Sequence, residues 1–243
     1  NSDLTCNTGN DNIAIGFQAG QYVEDGSNSV YIGTQAGYNA KSACNNVYVG
    51  FCAGVSSQSA KCNVFIGPWA GQYASSTVYC SIAIGVKALH KSASSMCGNI
   101  AIGDVALGCA TLGGDAVVIG RHAGEKLACA GQSVFIGAYA GYGVASCSTY
   151  GNTFVGRGSG RCLQTGRYNS AFGISSLCKI TTGYGNAAMG DCAGQNITTG
   201  ACNSLLGKQA GDNITTGSRN IAIGLGVDVP SATESYTKNA SPL

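Results

Sequence analysis

The chain has 243 residues and sparse charge, 13 Lys and Arg against 11 Asp and Glu, for a formal net charge of +2. The basic residues are scattered, so no stripe follows a phosphate backbone and nucleic acid is not an expected partner. Glycine, at 38 residues, replaces the large side chains of an ordinary core, and the apolar runs of four or five residues fall far short of the roughly 20 that span a membrane.

The first element is the phrase NIAIGFQAG, Asn12 to Gly20, which returns as VYIGTQAG, VYVGFCAG and NVFIGPWAG by Gly71. Aligned on the glycine that closes each apolar triplet, thirteen copies fall at Gly16, Gly33, Gly50, Gly67, Gly85, Gly103, Gly120, Gly137, Gly156, Gly173, Gly190, Gly207 and Gly224. The spacing is 17 at the start, stretches to 18, 18 and 19 between Ser75 and Tyr150, and returns to 17. Such a period defines a repeat architecture and ends the search for separate globular domains. Residues 1–228 read as one solenoid domain, and 229–243, with Pro230, as a non-repeat C-terminal tail or linker. The N-terminal end shows neither a signal peptide nor a cap, which fits a mature or trimmed chain and keeps end-to-end stacking open.

Seventeen residues are too few for a strand, a helix and two connections, and no 3.6-residue period appears. The expected fold is all-β, a parallel β-solenoid of about 13 coils of 17–19 residues, one repeat per coil, each with two short strands and two turns. Stacked at about 4.8 Å, these coils would make a rod on the order of 60 Å long.

The residues one and three before the repeat glycine are mostly Ile and Val and are expected to face the coil interior. The column between them, Ala14, Tyr31, Tyr48, Phe65, Ala83, Ala101, Val118, Phe135, Phe154, Ala171, Ala188, Leu205 and Ala222, contains nothing polar and by alternation should face outward. A strand apolar on both faces is buried on both. This column is therefore the expected oligomer interface, with identical rods side by side. Four residues before the glycine, Asn12, Asn46, Asn63, Asn99, Asn152, Asn169, Asn186, Asn203 and Asn220 are expected to form a structural amide ladder. Ala followed by Gly, as at Ala19 and Gly20, reads as a tight corner.

The phrases NIAIG, NVYVG, NVFIG and NSLLG, followed by the AG corner, resemble the head repeats of trimeric autotransporter adhesins and their relatives in phage tail fibres and large-virus surface proteins. The resemblance covers residues 6–228. It implies a left-handed β-roll, three chains around an axis, and attachment or fibre building. The period of about 17 and the many cysteines depart from the adhesins, and the TTG turns bring the chain closer to the viral fibres.

Thirteen cysteines point to disulfides in an extracellular setting, with buried free thiols as the alternative. Equivalent positions of neighbouring coils fall within the roughly 4.4–6.8 Å Cα separation of a disulfide. Coil-to-coil bridges are therefore expected among Cys44, Cys62, Cys80 and Cys97, which allow two schemes, between Cys129 and Cys147, and between Cys162 and Cys178. The odd total leaves at least one thiol free or bonded to another chain. Asn196, Asn213 and Asn239 stand in N-glycosylation sequons, but NITTG also reads as a turn with a threonine ladder.

Asp104, Asp115, Arg121, His122 and Glu125 are the only local concentration of titratable groups, read as surface ion pairing, with Asp104 and Arg121 as near neighbours. No catalytic residue, metal site or cofactor is expected. The wider spacing, the loss of the corner glycine at Leu89 and Leu107, and both histidines, His90 and His122, fall between Ser75 and Tyr150. That irregularity reads equally as a recognition loop or as drift.

The function expected is a non-enzymatic extracellular or virion-surface fibre or adhesin segment, a rigid rod for attachment to a host surface. Its partners would be itself, as homotrimer or filament, and a host glycan or surface protein. The alternative is a structural subunit that stacks end to end into a filament or coat.

Overall fold

A computed structural model of the chain describes residues 9–74, 78–91, 96–110, 113–143 and 149–240. The fold is all-β, a parallel β-solenoid with no helix among the described residues. Two compact units divide between His122 and Ala123 and are taken in turn.

The first unit carries β1 (Ile13–Ile15), β2 (Val30–Ile32), β3 (Val47–Val49), β4 (Val64–Ile66), β5 (Val78–Tyr79), β6 (Ile82–Ile84), β7 (Met96–Cys97), β8 (Ile100–Ile102) and β9 (Val117–Ile119). The three-residue strands pair in parallel and in register, so that Ala14, Tyr31, Tyr48, Phe65, Ala83, Ala101 and Val118 form one row. β5 and β7 form a separate two-residue pair. The second unit carries β10 (Val134–Ile136), β11 (Thr153–Val155), β12 (Ser170–Phe172), β13 (Ala187–Met189), β14 (Ser204–Leu206), β15 (Ile221–Ile223) and β16 (Lys238–Ala240), again parallel and in register.

Among the described residues most repeat coils thus have one strand, where two were expected, and only the coils of β6 and β8 add a second in β5 and β7. The rest of the circuit is made of turns that use left-handed backbone at fixed places. The residue two after the repeat glycine has positive φ whatever its type, including Cys52 (54°), Trp69 (57°), Val105 (54°) and His122 (57°). Hydrogen bonds to the coil before stabilise this corner, as where the Val105 N–H donates to the Val86 carbonyl at 2.9 Å. The repeat glycine is required twice over. Gly50 has φ 135°, and a Cβ there would lie 2.7 Å from the Gly67 backbone of the next coil.

The strand faces are the reverse of the expectation. Tyr31, Tyr48, Phe65, Ala83, Ala101, Val118, Phe135, Phe154, Ala171, Ala188, Leu205 and Ala222 lie inside their own coils, none more than 2% exposed, and Ala14 is half-buried in the first described coil. They are core and not oligomer interface. A three-residue strand in so narrow a coil turns only its middle side chain inward, and the flanking Ile and Val face out. The interior is completed by the Ala three after the glycine (Ala36, Ala53, Ala70) and by apolar residues seven after it, Val23, Leu127, Leu163, Ile180, Ile197 and Ile214.

Leu89 and Leu107 belong to this core as well. Where the inward residue is aromatic the corner residue is glycine, because a Cβ on Gly54 would stand 2.6 Å from the Tyr48 ring and one on Gly141 2.7 Å from Phe135. Where it is Ala83, Ala101 or Ala171, the corner becomes Leu89, Leu107 or Leu177, each fully buried with φ between 49° and 52°. At these coils the lost glycine is a packing exchange, not a recognition loop.

The segment expected to leave the repeat instead makes a further coil. β16 pairs with β15, setting Asn239 beside Ala222. Asn239 thus holds the place that apolar residues fill in every repeat coil.

Candidate functional site

The outward face of the strands is the candidate site, and sequence reasoning assigned it to the core. In the first unit it presents Ile13 (52% exposed), Ile15 (58%), Ile32 and Ile66, joined one residue beyond the glycine by Phe17 and Phe51. In the second unit it presents Phe172, Met189, Leu206 and Ile223, with Ile174 and Leu225 alongside. Backbone groups of the strands are used in the parallel ladders, so this face offers apolar contact without main-chain pairing. A shallow apolar hollow of about 240 Å³ forms where Ala187 and Ser204 are small between Met189, Leu206 and Ile223.

Behind this face runs the amide ladder. The Asn63 Nδ2 donates to the Asn46 Oδ1 at 3.2 Å and to the Val78 carbonyl at 3.0 Å, and Asn169, Asn186 and Asn203 repeat the pattern. Each Oδ1 also accepts the backbone N–H of the same position one coil on, from Asn12 to Ser29 through to Asn220 and Thr237. Asn99 takes part through the Gly113 carbonyl and the Ala116 N–H, and Asn152 through the Gly166 carbonyl. Ser29, Ser81 and Ser133 stand in for Asn by accepting the next N–H on their hydroxyls. These are structural contacts, fully used inside the coil.

Comparison with family models, curated proteins and solved structures returned no match.

Among the cysteines expected to bridge coils, Cys44, Cys62, Cys80, Cys97, Cys162 and Cys178 are free thiols. Cys62 and Cys80 occupy one position in successive coils, because Lys61 and Tyr79 are paired. Parallel in-register side chains keep their Cβ atoms at about the 4.8 Å strand spacing, beyond the roughly 3.5–4.5 Å of a disulfide. Cys44 and Cys97 share the next row but lie three coils apart through Lys61 and Tyr79. The Cys162 N–H donates to the Cys178 carbonyl, and burial pushes the Cys178 thiol up, helped by Cys162 and opposed by Arg161 and Lys179. Cys129 is disulfide-bonded. Cys147, the partner expected for it, lies outside the described residues.

The sequon amides are all engaged. Asn196 Nδ2 donates to Asp212, Asn213 Nδ2 to the Val229 carbonyl, and Asn239 Nδ2 to the Asp228 carbonyl. The threonines of NITTG continue a ladder that begins at Thr181 of KITTG and runs to Thr198, Thr215 and Ala232, each hydroxyl on the next carbonyl at 3.1–3.2 Å. The Ile of each motif, Ile197 and Ile214, is core.

Asp104 and Arg121 follow their glycines in successive coils, and the His122 N–H donates to the Asp104 carbonyl at 2.8 Å. Asp115 sits at another corner, its N–H on the Cys97 carbonyl at 2.9 Å. Burial holds the Tyr31 phenol up at about 12 and raises Tyr48 further, and burial lowers His90, which meets the Tyr73 ring edge-on at 5.3 Å.

Two signals in the sequence pointed to the true faces. Leu appears at the corner only opposite Ala, at Leu89, Leu107 and Leu177, and the residue seven after the glycine is repeatedly Leu, Ile or Ala.

Proposed function

We propose that this chain is a non-enzymatic structural solenoid that associates side by side with copies of itself and serves as a rigid segment of a fibre or attachment protein. The observation that carries this reading is the outward strand face. Apolar side chains recur there coil after coil in each unit, and such a surface on a protein in water calls for a cover. A second copy of the chain supplies it, since a parallel neighbour presents the same stripe at the same spacing. Placement outside the cell is part of the proposal and rests on the resemblance to fibre repeats. A disulfide at Cys129 would persist there.

The test is the native mass by light scattering of the chain and of an Ile32→Lys, Met189→Lys variant. Discrete oligomers for the native chain and monomers with unchanged circular dichroism for the variant support lateral association. Native monomers at micromolar concentration, or oligomers that the substitutions leave intact, refute it.

A further inference from the structure

A groove of about 550 Å³ in the second unit is built from residues five to eight after the repeat glycines, away from the strand residues of the outward face. Three cations line it, Lys126, Arg161 and Lys179, together with Tyr142 and the thiols Cys162 and Cys178. No lining residue is acidic. Two of the cations stand over aromatic rings. The Lys126 Nζ lies 4.8 Å from the centre of the Tyr142 ring, and the Arg161 guanidinium 5.3 Å from that of Tyr139. The Lys179 Nζ donates to the Asn196 Oδ1 at 2.7 Å, and the same amide donates to Asp212, whose carboxylate the ammonium also favours in its charged form.

We propose that this groove binds a linear polyanionic saccharide, through sulfate or carboxylate groups held by Lys126, Arg161 and Lys179. The cations come from three coils spread over three coil steps, about 14 Å at the strand spacing. A ligand with several anionic groups along one chain matches that row better than a single small anion. Like charges in a concave site focus the field and raise the local concentration of such a ligand. The Gln164 amide, also in the lining, suits sugar hydroxyls. Oligonucleotides are disfavoured because single-strand binding draws on open aromatic faces, while Lys126 covers Tyr142 and Arg161 covers Tyr139. The proposal goes beyond lateral association and stands even if the chains prove monomeric.

The experiment follows alkylation of single cysteines by mass spectrometry on the full chain, with Cys62 and Cys202 as exposed thiols outside the groove. The probes are a sulfated oligosaccharide, a carboxylated one, a neutral one of equal length, a single-stranded oligonucleotide and inorganic sulfate. Either charged saccharide is expected to slow alkylation of Cys162 and Cys178 several-fold while Cys62 and Cys202 react as before. The tighter of the two identifies the anionic group. The neutral sugar and inorganic sulfate are expected to do little. Lys126→Gln, Arg161→Gln, Lys179→Gln together should weaken binding about tenfold or more, since hydrogen bonds to charged groups are the strong ones. Binding that the triple variant retains, protection that extends to Cys62, or an oligonucleotide that protects as well as the saccharides would overturn the proposal. So would the absence of protection by any probe.

Discussion

Leu107 fills the space that Ala101 leaves open inside its coil. Both are fully buried, and Leu107 accepts a left-handed backbone, φ 52°, to reach it. Phe65 and Gly71 make the same exchange in the opposite sense. Leu107→Gly should destabilise the chain by about 2–3 kcal/mol, the cavity outweighing the relief at φ. Ala101→Phe alone should cost more, because the ring meets Leu107. Combining the two recreates the Phe65 and Gly71 arrangement and should recover most of the loss. Chemical denaturation of the four proteins measures this as a double-mutant cycle, and additive losses would show that the two residues do not share one space.

Gly50 and Gly226 separate two reasons for glycine. Gly50→Ala meets both a forbidden φ and the Gly67 backbone at 2.7 Å, so a loss of about 3 kcal/mol or more is expected. At Gly226 the φ is 61° and nothing stands within 4 Å, so Gly226→Ala should cost only about 1 kcal/mol. Thermal denaturation ranks the two, and equal losses would remove close coil approach from the account.

Asn186 is engaged at both ends of its amide. Its Nδ2 donates to the Gly200 carbonyl at 2.8 Å, and its Oδ1 accepts the Asn203 N–H at 3.0 Å. Asn186→Ala strands both buried groups and should lower stability by about 2–4 kcal/mol. Asn186→Ser, with the residue that Ser29, Ser81 and Ser133 already use, should cost clearly less. Hydrogen exchange at the Asn203 amide gives the local reading, faster in the Ala variant than in the Ser variant.

Stability should fall toward both acid and alkali. Burial favours neutral His90, so the unfolded chain takes up the proton more readily. Its contribution is complete above the ordinary pKa of 6.5 and is lost as pH falls below that value. Tyr31 stays protonated up to about 12 when folded, so its contribution is complete below 10.0 and is lost as pH rises from there toward 12. His90→Gln should flatten the acid limb, and Tyr31→Phe combined with Tyr48→Phe the alkaline one, read from denaturation midpoints across pH.

The coil count, the register and the amide ladder were legible in the sequence because each depends on a residue type at a fixed interval. Asn63 above Asn46 follows from spacing alone. The sense of the strand was not legible in the same way. Tyr48 with Val47 and Val49 is apolar throughout, so alternation says only that the middle residue differs in direction from its neighbours. What decides the direction is the room inside the coil, where the Tyr48 ring lies so close to Gly54 that a Cβ there would stand 2.6 Å from it. The thiols were misread for a related reason. Cα spacing admits a bridge between Cys62 and Cys80, but their parallel Cβ directions do not favour one. The groove around Arg161 was missed because its residues come from four coils and form no motif along the chain.

In the second unit the strands from Ser170 to Ile223 recur every 17 residues in unbroken register. Removing residues 174–190 would join Gly173 to Asp191 and leave every glycine, amide and inward side chain facing an equivalent partner. Such a unit can be shortened or extended by whole coils, in steps of about 4.8 Å, without redesigning a single contact. Its length is therefore a quantity that duplication and deletion of DNA can adjust directly, while any insertion that is not a full coil must bulge out as a loop.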